Sequence, residues 1–445
     1  MKFISSKVDN PALLPLLLLG VCLVLNGTSL AQNQYYVNSA AGSDSNDGSQ
    51  TRPWRTIQHA DSALLLGQGG TIVHVAPGTY SGPITTNKAG TASGRLVWLS
   101  DTKWGAKVTN ANWQINGNYV DLNGFDLTSP GSGGYGVFVG LQTSFVHILN
   151  NNMHDFTTGD CGSYGVITDG RANPPGPNPG GDNWIIGNVV RHAGNYNFGV
   201  YNCVTLHGIY STGPRDIIQN NIISGITGWA IKRNAYAGAG VISNNTIFNN
   251  GGGISPTELS DDGFLAIWDY NTVSNNIIVN NGVDAPNGGR FGIDFYHVTG
   301  THNVVTNNLI YGNKPSDYGH HDVACSGGTP ISGSDADGTA GGCPSSSPKS
   351  DAGPAVTFTN FQSDTNSTPA SNYSVDNYQI KAGSNAIQNG TTNCASSPGL
   401  SPCVPTLDIV GVIRLSGSTL DIGAYEQGTV AGVPLAPTGL TASVQ

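Results

Sequence analysis

The stretch "VISNNTIFNNGGG", residues 241–253, places one asparagine pair between two aliphatic runs and a second pair before three glycines. Similar segments occupy 216–228, 271–282 and 303–313, and looser copies occupy 145–156 and 183–194. We take the last Asn before each following apolar pair as an anchor, which gives Asn152, Asn188, Asn221, Asn245, Asn276 and Asn308. Intervals of 24 to 36 residues between anchors are typical of a solenoid.

A second element lies between the anchors, a Gly or Ala followed by an aliphatic, mostly β-branched residue. These segments align on Val137, Val166, Ile209, Ile231, Ile254 and Ile293. Each repeat therefore holds two or three short strands and has no room for a helix. Asn tolerates the left-handed backbone of a sharp bend, and its amide can bond to the Asn above and below. The Asn pairs are predicted to be stacked corners of a coil.

Composition agrees with a turn-dense β protein. The 445 residues include 62 Gly and 24 Pro, and only 10% are charged. The net charge of −10 argues against nucleic acid or an anionic membrane as a partner. We expect a monomer that engages an extended acidic polysaccharide.

The N-terminal residues resemble an export signal. Lys2 and Lys7 precede an apolar run and a small-residue site that ends at Ala31, which predicts a signal peptide over 1–31 and a secreted or cell-surface protein. An uncleaved anchor is the alternative, and no later segment is long and apolar enough to span a membrane. Six cysteines remain, enough for three disulfides of open connectivity: Cys161, Cys203, Cys325, Cys343, Cys394 and Cys403.

Several segments resemble the secreted right-handed parallel β-helix proteins of the pectate-lyase-like superfamily. They are "YYVNSAAGSDSNDGSQTRPWRTIQHA" (35–60), "GGTIVHVAPGTYSGPI" (69–84) and the Asn-pair rungs. The segments "NYQIKAGSNAIQNG" and "LDIGAYEQ" are similar to choice-of-anchor Q sequences. The resemblance implies an all-β, right-handed parallel β-helix, and it covers many chemistries and some pure binders.

The chain is predicted to form one principal domain. The β-helix domain covers 32–427, with a loop insert at 314–354 and a choice-of-anchor Q-like segment at 372–427. Residues 428–445 are interpreted as a linker and an incomplete fibronectin type III-like start. Within 56–66, Ile57, Ala60, Ala63 and Leu64 share one helical face, which predicts a short helix that caps the first coil.

Strand alternation predicts a polar outer face. One position beyond the aligned inward residues lie Tyr210, Lys232 and Asp294, and three positions beyond lie Asp169 and Tyr296. Because a Lys beside another cation has its neutral form favoured, Lys232 can serve as a base.

β-Elimination beside a uronate carboxylate needs a base, a cation and an acid. Lys232 could be the base, Arg233 or a bound Ca²⁺ could be the cation, and Tyr210 could be the acid. Alternatively, Lys232 is a solvated residue on a polar face.

Two further groups are candidates. His207 precedes the segment "GIY" at the position where the next rung carries Trp229, so the two rings belong to one column. We interpret this column as packing or as a shelf on which a sugar stacks. His207 itself is interpreted as a structural residue or as a general base. The segment 258–270 gathers Asp261, Asp262 and Asp269, oxygen ligands that suit Ca²⁺. It resembles the Asp-Asp-Gly-aromatic calcium signature of some pectate lyases, although Thr227 stands where those enzymes have a further acidic residue. A plain acidic turn is the alternative.

The pattern as a whole favours an exported lyase, or a related epimerase, acting on uronate-containing glycans. A hydrolase would need two carboxylates, for which Asp169 and Asp294 are candidates. A different class is also open: a non-catalytic surface or matrix β-helix that binds glycans or serves as a rigid rod.

Overall fold

The computed structural model describes most of the coil and parts of the C-terminal region. The described residues are 32–130, 134–156, 163–168, 180–194, 207–234, 236–257, 268–282, 291–296, 302–311, 313, 318–321, 331–332, 380, 384, 386–392, 400, 404–414 and 420–426. The predicted signal peptide, the six remaining cysteines and the 428–445 tail lie outside them, so those predictions stand as made. No helix in the described part is long and apolar enough to cross a membrane.

Within these residues the strands form three parallel sheets. The first sheet, in spatial order, holds β1 (Asn33–Val37), β2 (Thr71–Val75), β5 (Leu96–Ser100), β8 (Val120–Asn123), β11 (His147–Leu149), β14 (Trp184–Ile186), β17 (Ile217–Gln219), β20 (Val241–Ser243), β23 (Thr272–Ser274), β26 (Asn303–Thr306) and β29 (Ile331–Ser332). The second holds β3 (Gly78–Ser81), β6 (Ala106–Thr109), β9 (Asp126–Thr128), β12 (Asn152–Phe156), β15 (Val189–Ala193), β18 (Ile222–Ile226), β21 (Thr246–Phe248), β24 (Ile277–Val279) and β27 (Leu309–Tyr311). The third holds β4 (Ile84–Thr86), β7 (Trp113–Ile115), β10 (Gly134–Val139), β13 (Ser163–Thr168), β16 (His207–Ser211), β19 (Trp229–Arg233), β22 (Gly252–Pro256), β25 (Ile293–Tyr296) and β28 (Tyr318–His321).

Successive strands along most of the chain enter different sheets, and each strand pairs with the equivalent strand one turn later. This is a right-handed parallel β-helix, so the predicted fold is confirmed. Two short strands inside the 314–354 segment, β28 and β29, extend the third and first sheets. The sequence had indicated a loop over the whole segment, whereas residues 318–321 and 331–332 are strands of the coil.

A short helix covers the first coil. Helix α1 (Ile57–Ala63) begins at Thr56, whose hydroxyl accepts a hydrogen bond from the backbone N–H of His59 at 3.1 Å. Ile57 and Ala60 are buried against the core of the coil. The predicted capping helix is confirmed, and it shields the apolar end of the solenoid from solvent.

The coil interior consists of stacked columns. Val137, Val166, Ile209, Ile231, Ile254 and Ile293 pair in consecutive register, as the sequence alignment predicted. The Gly or Ala before each of them also faces inward: a Cβ at Gly253 would lie 2.0 Å from the carbonyl oxygen of Gly292. The small residue is therefore required by the close approach of successive coils.

The two residues of each Asn pair have different roles. The first adopts the left-handed conformation, as in Asn150, Asn220, Asn244, Asn275 and Asn307, with φ between 54° and 56° except for 58° at Asn275. The second residues form a buried ladder in which each side-chain amide donates to the next side-chain oxygen at 2.9–3.2 Å: Asn151, Asn188, Asn221, Asn245, Asn276 and Asn308. The first predicted anchor, Asn152, is thus wrong by one residue. Asn152 lies in β12, and its amide donates to Asp126 at 3.0 Å.

The C-terminal segment packs along the outside of the second sheet. Its buried apolar residues contact an apolar stripe on that sheet; the cluster comprises Ile380, Ala386, Ile409, Ile422, Ala424 and Tyr425 against Val189, Ile222, Phe248, Ile277, Val279 and Leu309. We call the described residues within 380–426 the C-terminal strap. Left-handed Asn residues donate to its backbone, including Asn275 to the carbonyl of Thr391 at 2.8 Å. The corner amides that face outward therefore anchor the strap.

Candidate functional site

The outer face of the third sheet carries the candidate site, centred on Lys232. Tyr210, Lys232 and Ser255 lie side by side in register on β16, β19 and β22. Lys232 is half-buried, and its Nζ donates to Ser255 Oγ at 3.1 Å and to Thr257 Oγ1 at 2.6 Å. The amine is thus held in one position by two hydroxyl groups of the next coil.

Tyr210 and Asn234 lie beside the lysine. The side-chain amide of Asn234 donates to the Tyr210 hydroxyl oxygen at 3.3 Å. The rings of His207 and Tyr210 are 5.2 Å apart and inclined at 41°. These contacts hold the phenol on the same face as Lys232.

The predicted ring column is largely covered. His207 and Trp229 are in register on β16 and β19, and they are only 5% and 7% exposed. This burial is consistent with packing, and the sugar-stacking and general-base roles stay predictions.

Arg233 does not lie on the face with Lys232. It follows Lys232 in the strand, and because successive side chains point to opposite sides, it shares the inward direction of Ile231. Its guanidinium is within the coil, where Nη1 lies 3.6 Å from Asp216 Oδ2 and also donates to Ser211 Oγ, while Nη2 donates to the carbonyl of Ala237 at 2.9 Å. The hypothesis that Arg233 meets a substrate carboxylate is corrected by this geometry.

The buried pair is well provided with hydrogen bonds. Asp216 Oδ2 accepts from Ser211 Oγ at 2.6 Å and from Thr168 Oγ1 at 2.8 Å, and Oδ1 accepts from the backbone N–H of Asn183 at 2.9 Å. Burial raises the pKa of Asp216, an effect that the Arg233 charge opposes. Burial likewise lowers the pKa of Arg233 to about 10, against the opposing effect of Asp216. With donors on both oxygens, the carboxylate form of Asp216 fits the geometry.

The other predicted site residues are more dispersed. Asp294 is buried and lies one residue beyond the Ile254–Ile293 register pair, on the same side as Lys232. Tyr296 is at the end of β25. Asp169, Asp261 and Asp262 lie outside the described residues.

Asp269 has a local partner. Its carboxylate accepts from the backbone N–H of His302 at 2.7 Å and contacts His302 Nδ1 at 2.9 Å. Burial raises the pKa of Asp269, but the hydrogen bonds from His302 outweigh it and the pKa is lowered. Across the part of the chain that the structure describes, no group of three or more His, Cys, Asp or Glu side chains could hold a metal ion.

Sequence reasoning overlooked the partners of the site. Ser255 and Thr257 stand in the predicted outward columns, but as uncharged hydroxyl residues they carry no charge signal that would mark them as site residues. Asp216 was also missed, although it stands before a first-sheet strand at the position where Asn183 stands in the preceding coil. An acid in a column that carries Asn at 183, 271 and 303 is the pattern that could have identified it.

Comparison with known proteins supports the fold. Residues 40–88 match a family model described as a protein of unknown function (DUF1565), and no curated protein sequence matches the chain. The pectate lyase Pel9A aligns with a TM-score of 0.50 and 20% identity over 90% of this chain and 97% of that chain. The GH136 lacto-N-biosidase from Eubacterium ramulus aligns at 0.42 and 13%, covering 62% of this chain and 56% of that one. An alginate lyase from Paenibacillus sp. str. FPU-7 aligns at 0.36 and 15%, covering 64% and 98%. At 20% identity, the likeness to Pel9A is one of fold alone.

Proposed function

We propose that the protein binds an extended uronate-containing polysaccharide along the outer face of the third sheet and cleaves it by β-elimination, with Lys232 as the base. The observation that carries the proposal is the position of the Lys232 amine, fixed by Ser255 and Thr257 on an outward face. The pectate lyase Pel9A has the same fold over 90% of this chain, so the scaffold is compatible with this chemistry. A face that spans several coils suits a linear polymer.

In the proposed reaction, neutral Lys232 removes the proton on the carbon next to the uronate carboxylate. The electron pair of that C–H bond forms the carbon–carbon double bond, and the bond to the glycosidic oxygen breaks. Ser255 and Thr257 can accept hydrogen bonds from the ammonium that forms, which stabilises the product of proton transfer. Asn234 orients the Tyr210 oxygen, so that the phenol can donate its proton to the leaving oxygen.

The cation that would hold the carboxylate is not Arg233, because its guanidinium is inside the coil. The candidate calcium ligands other than Asp269 are Asp261 and Asp262, which lie outside the described residues. The described residues do not complete such a site, since the Asp269 carboxylate is engaged by His302. The mechanism above therefore has no step that depends on calcium. An epimerase would share the proton abstraction and differ in the step that follows.

The test is to incubate the purified chain with pectate, alginate and glycosaminoglycans, with calcium or with a chelator, and to follow the ultraviolet absorbance of unsaturated ends. Lys232→Ala should reduce kcat by about 10²–10⁴-fold, the usual contribution of a positioned base. Lys232→Arg keeps the charge but should be as inactive, because guanidinium does not lose its proton. The matched control is Lys107→Ala, which removes an exposed lysine from the second sheet. Equal activity in Lys232→Ala and Lys107→Ala would refute the assignment.

A second candidate function is glycan binding without cleavage. The inward position of Arg233 favours it, because the described residues around Lys232 on this face are mainly hydroxyl and amide groups. In affinity electrophoresis, retention on one of the same polymers that is weakened by Lys232→Ala, with no absorbance from unsaturated ends, would establish binding and exclude elimination of the polymers tested.

A further inference from the structure

The corner before the first-sheet strands carries its own column of polar residues. Asn183 accepts from the backbone N–H of Val146, and Asn271 accepts from the N–H of Gly240. Asp216 occupies the same kind of position, since its Oδ1 accepts from the N–H of Asn183 at 2.9 Å. Asn is therefore sufficient for the backbone contact at this corner, and the negative charge of Asp216 is an addition.

The next position in the column is Gly240, and Arg233 fills the space there. A Cβ at Gly240 would lie 2.4 Å from Arg233 Nη2 and 2.9 Å from Cζ. The guanidinium thus occupies, in this coil, the volume that an Asn side chain such as that of Asn271 takes in the next coil. A charged Asp–Arg pair replaces two amides of the column, and it does so directly behind Lys232.

The pair is also connected to the backbone that carries the site. Nη2 of Arg233 fixes the turn after β19 through Ala237, and the carbonyl of Arg233 accepts from the N–H of Thr257 at 2.8 Å. The N–H of Asn234 donates to the carbonyl of Ser211 at 3.1 Å. Movement of Arg233 would therefore disturb Thr257 and Asn234, the two residues that hold Lys232 and Tyr210.

We propose that Asp216 and Arg233 form a positioning pair behind Lys232, which fixes the end of β19 and balances the charge that Lys232 experiences from the coil interior. The catalytic part of this inference rests on the proposed function, in which Lys232 must lose its proton. On its own face Lys232 has the titratable groups of Tyr210 on β16 and Asp294 on β25, which none of the variants below alters. On the inner side of the strand, a buried cation favours neutral Lys232, and the carboxylate of Asp216 limits that effect. Neither residue touches the substrate.

The test uses Asp216→Asn, Arg233→Met and the double variant in the full chain. The rate at which a small amine-reactive reagent modifies Lys232 is measured against pH by peptide mass spectrometry. Asp216→Asn leaves Arg233 without its counter-charge and should shift the midpoint for Lys232 to lower pH by about half to one unit. The double variant, whose corner is neutral, should return the midpoint toward that of the wild type. Lys107 serves as an internal reference whose midpoint should not move.

A matched control is Glu426→Gln, which alters the buried Arg414–Glu426 pair of the C-terminal strap, with side chains 2% and 1% exposed. It should not move the Lys232 midpoint, even where it lowers the thermal midpoint of unfolding. An unchanged midpoint in Asp216→Asn, or an equal shift in Glu426→Gln, would overturn the inference.

Labelling needs no substrate, so it separates this inference from the proposed function. If the wild type cleaves none of the polymers, the lyase proposal fails while the Lys232 midpoints still decide the role of the pair. If it does cleave one, the pH of half-maximal kcat should move in Asp216→Asn in the same direction as the labelling midpoint, with a smaller effect on KM. A kcat profile that stays in place would refute the catalytic part.

Discussion

The two residues of an Asn pair have different structural roles, so mutations of adjacent residues should change the free energy of unfolding by very different amounts. Asn245→Ala deletes an oxygen that accepts from the N–H of Asn221 at 3.0 Å and an amide that donates to the carbonyl of Ile218 at 2.9 Å. Both backbone groups are then left buried without these partners. Each such group costs about 1–3 kcal/mol, so Asn245→Ala should reduce the free energy of unfolding by about 4 kcal/mol. Asn244→Gly loses only the bond to the carbonyl of Asp421, and glycine favours its φ of 56°, so the net change should be below about 1 kcal/mol.

The assay is denaturant unfolding of both variants and the wild type, followed by far-ultraviolet circular dichroism. The midpoint concentration should fall strongly for Asn245→Ala and hardly at all for Asn244→Gly, with similar slopes. Equal losses in the two variants would show that the amide ladder does not carry the stability assigned to it.

Two further predictions concern the second sheet. His154 contacts Asp126 at 3.1 Å and Asp155 at 2.7 Å. Burial acts to lower the pKa of His154, but these two bonds outweigh it and the pKa is raised. Burial acts to raise the pKa of Asp155, but bonds from His154 and His192 outweigh it and the pKa is lowered. The stabilisation from the His154–Asp155 interaction is lost as pH falls below the unfolded Asp pKa of 3.8, and it is lost again as pH rises through the raised pKa of His154, above 6.5. His154→Gln should therefore reduce the free energy of unfolding most between these two pH values and least near pH 9. The measurement is denaturant unfolding of the variant and the wild type at a series of pH values. Ile422→Ala should weaken docking of the C-terminal strap by about 2–5 kcal/mol, seen as faster proteolysis within 380–426 while the coil resists; uniform cleavage of the whole chain would contradict this.

Much of the coil could be predicted from local pattern, because a solenoid repeats the same short-range rule. The column from Val137 to Ile293 aligned correctly since each rung carries the same small residue before it. The error at Asn152 arose where three asparagines follow one another and the pattern no longer distinguishes corner from strand. The strap could not be placed, because its contacts join residues more than 100 positions apart, as between Asn275 and Thr391.

The stripe under the strap shows a different limit of sequence reasoning. Ile222 and Ile277 face outward on the second sheet, yet they are fully buried because the strap covers them. From the sequence, they are indistinguishable from inward residues, since each is followed by a second isoleucine that points to the other side. A parallel strand that is buried on both faces has no alternation to read.

Lys232 and Arg233 illustrate why adjacency in sequence is a poor guide to cooperation in a strand. The two cations were grouped as one site because they are neighbours, but strand alternation directs one to the outer face of the sheet and the other into the coil. What they share is the backbone between them, so Arg233 can act on Lys232 through the field of its charge and the position of β19. A charged residue inside a solenoid costs desolvation that an Asn corner would avoid. That cost falls at the same coil as the lysine, and it is the reason to test whether the pair sets the protonation of Lys232.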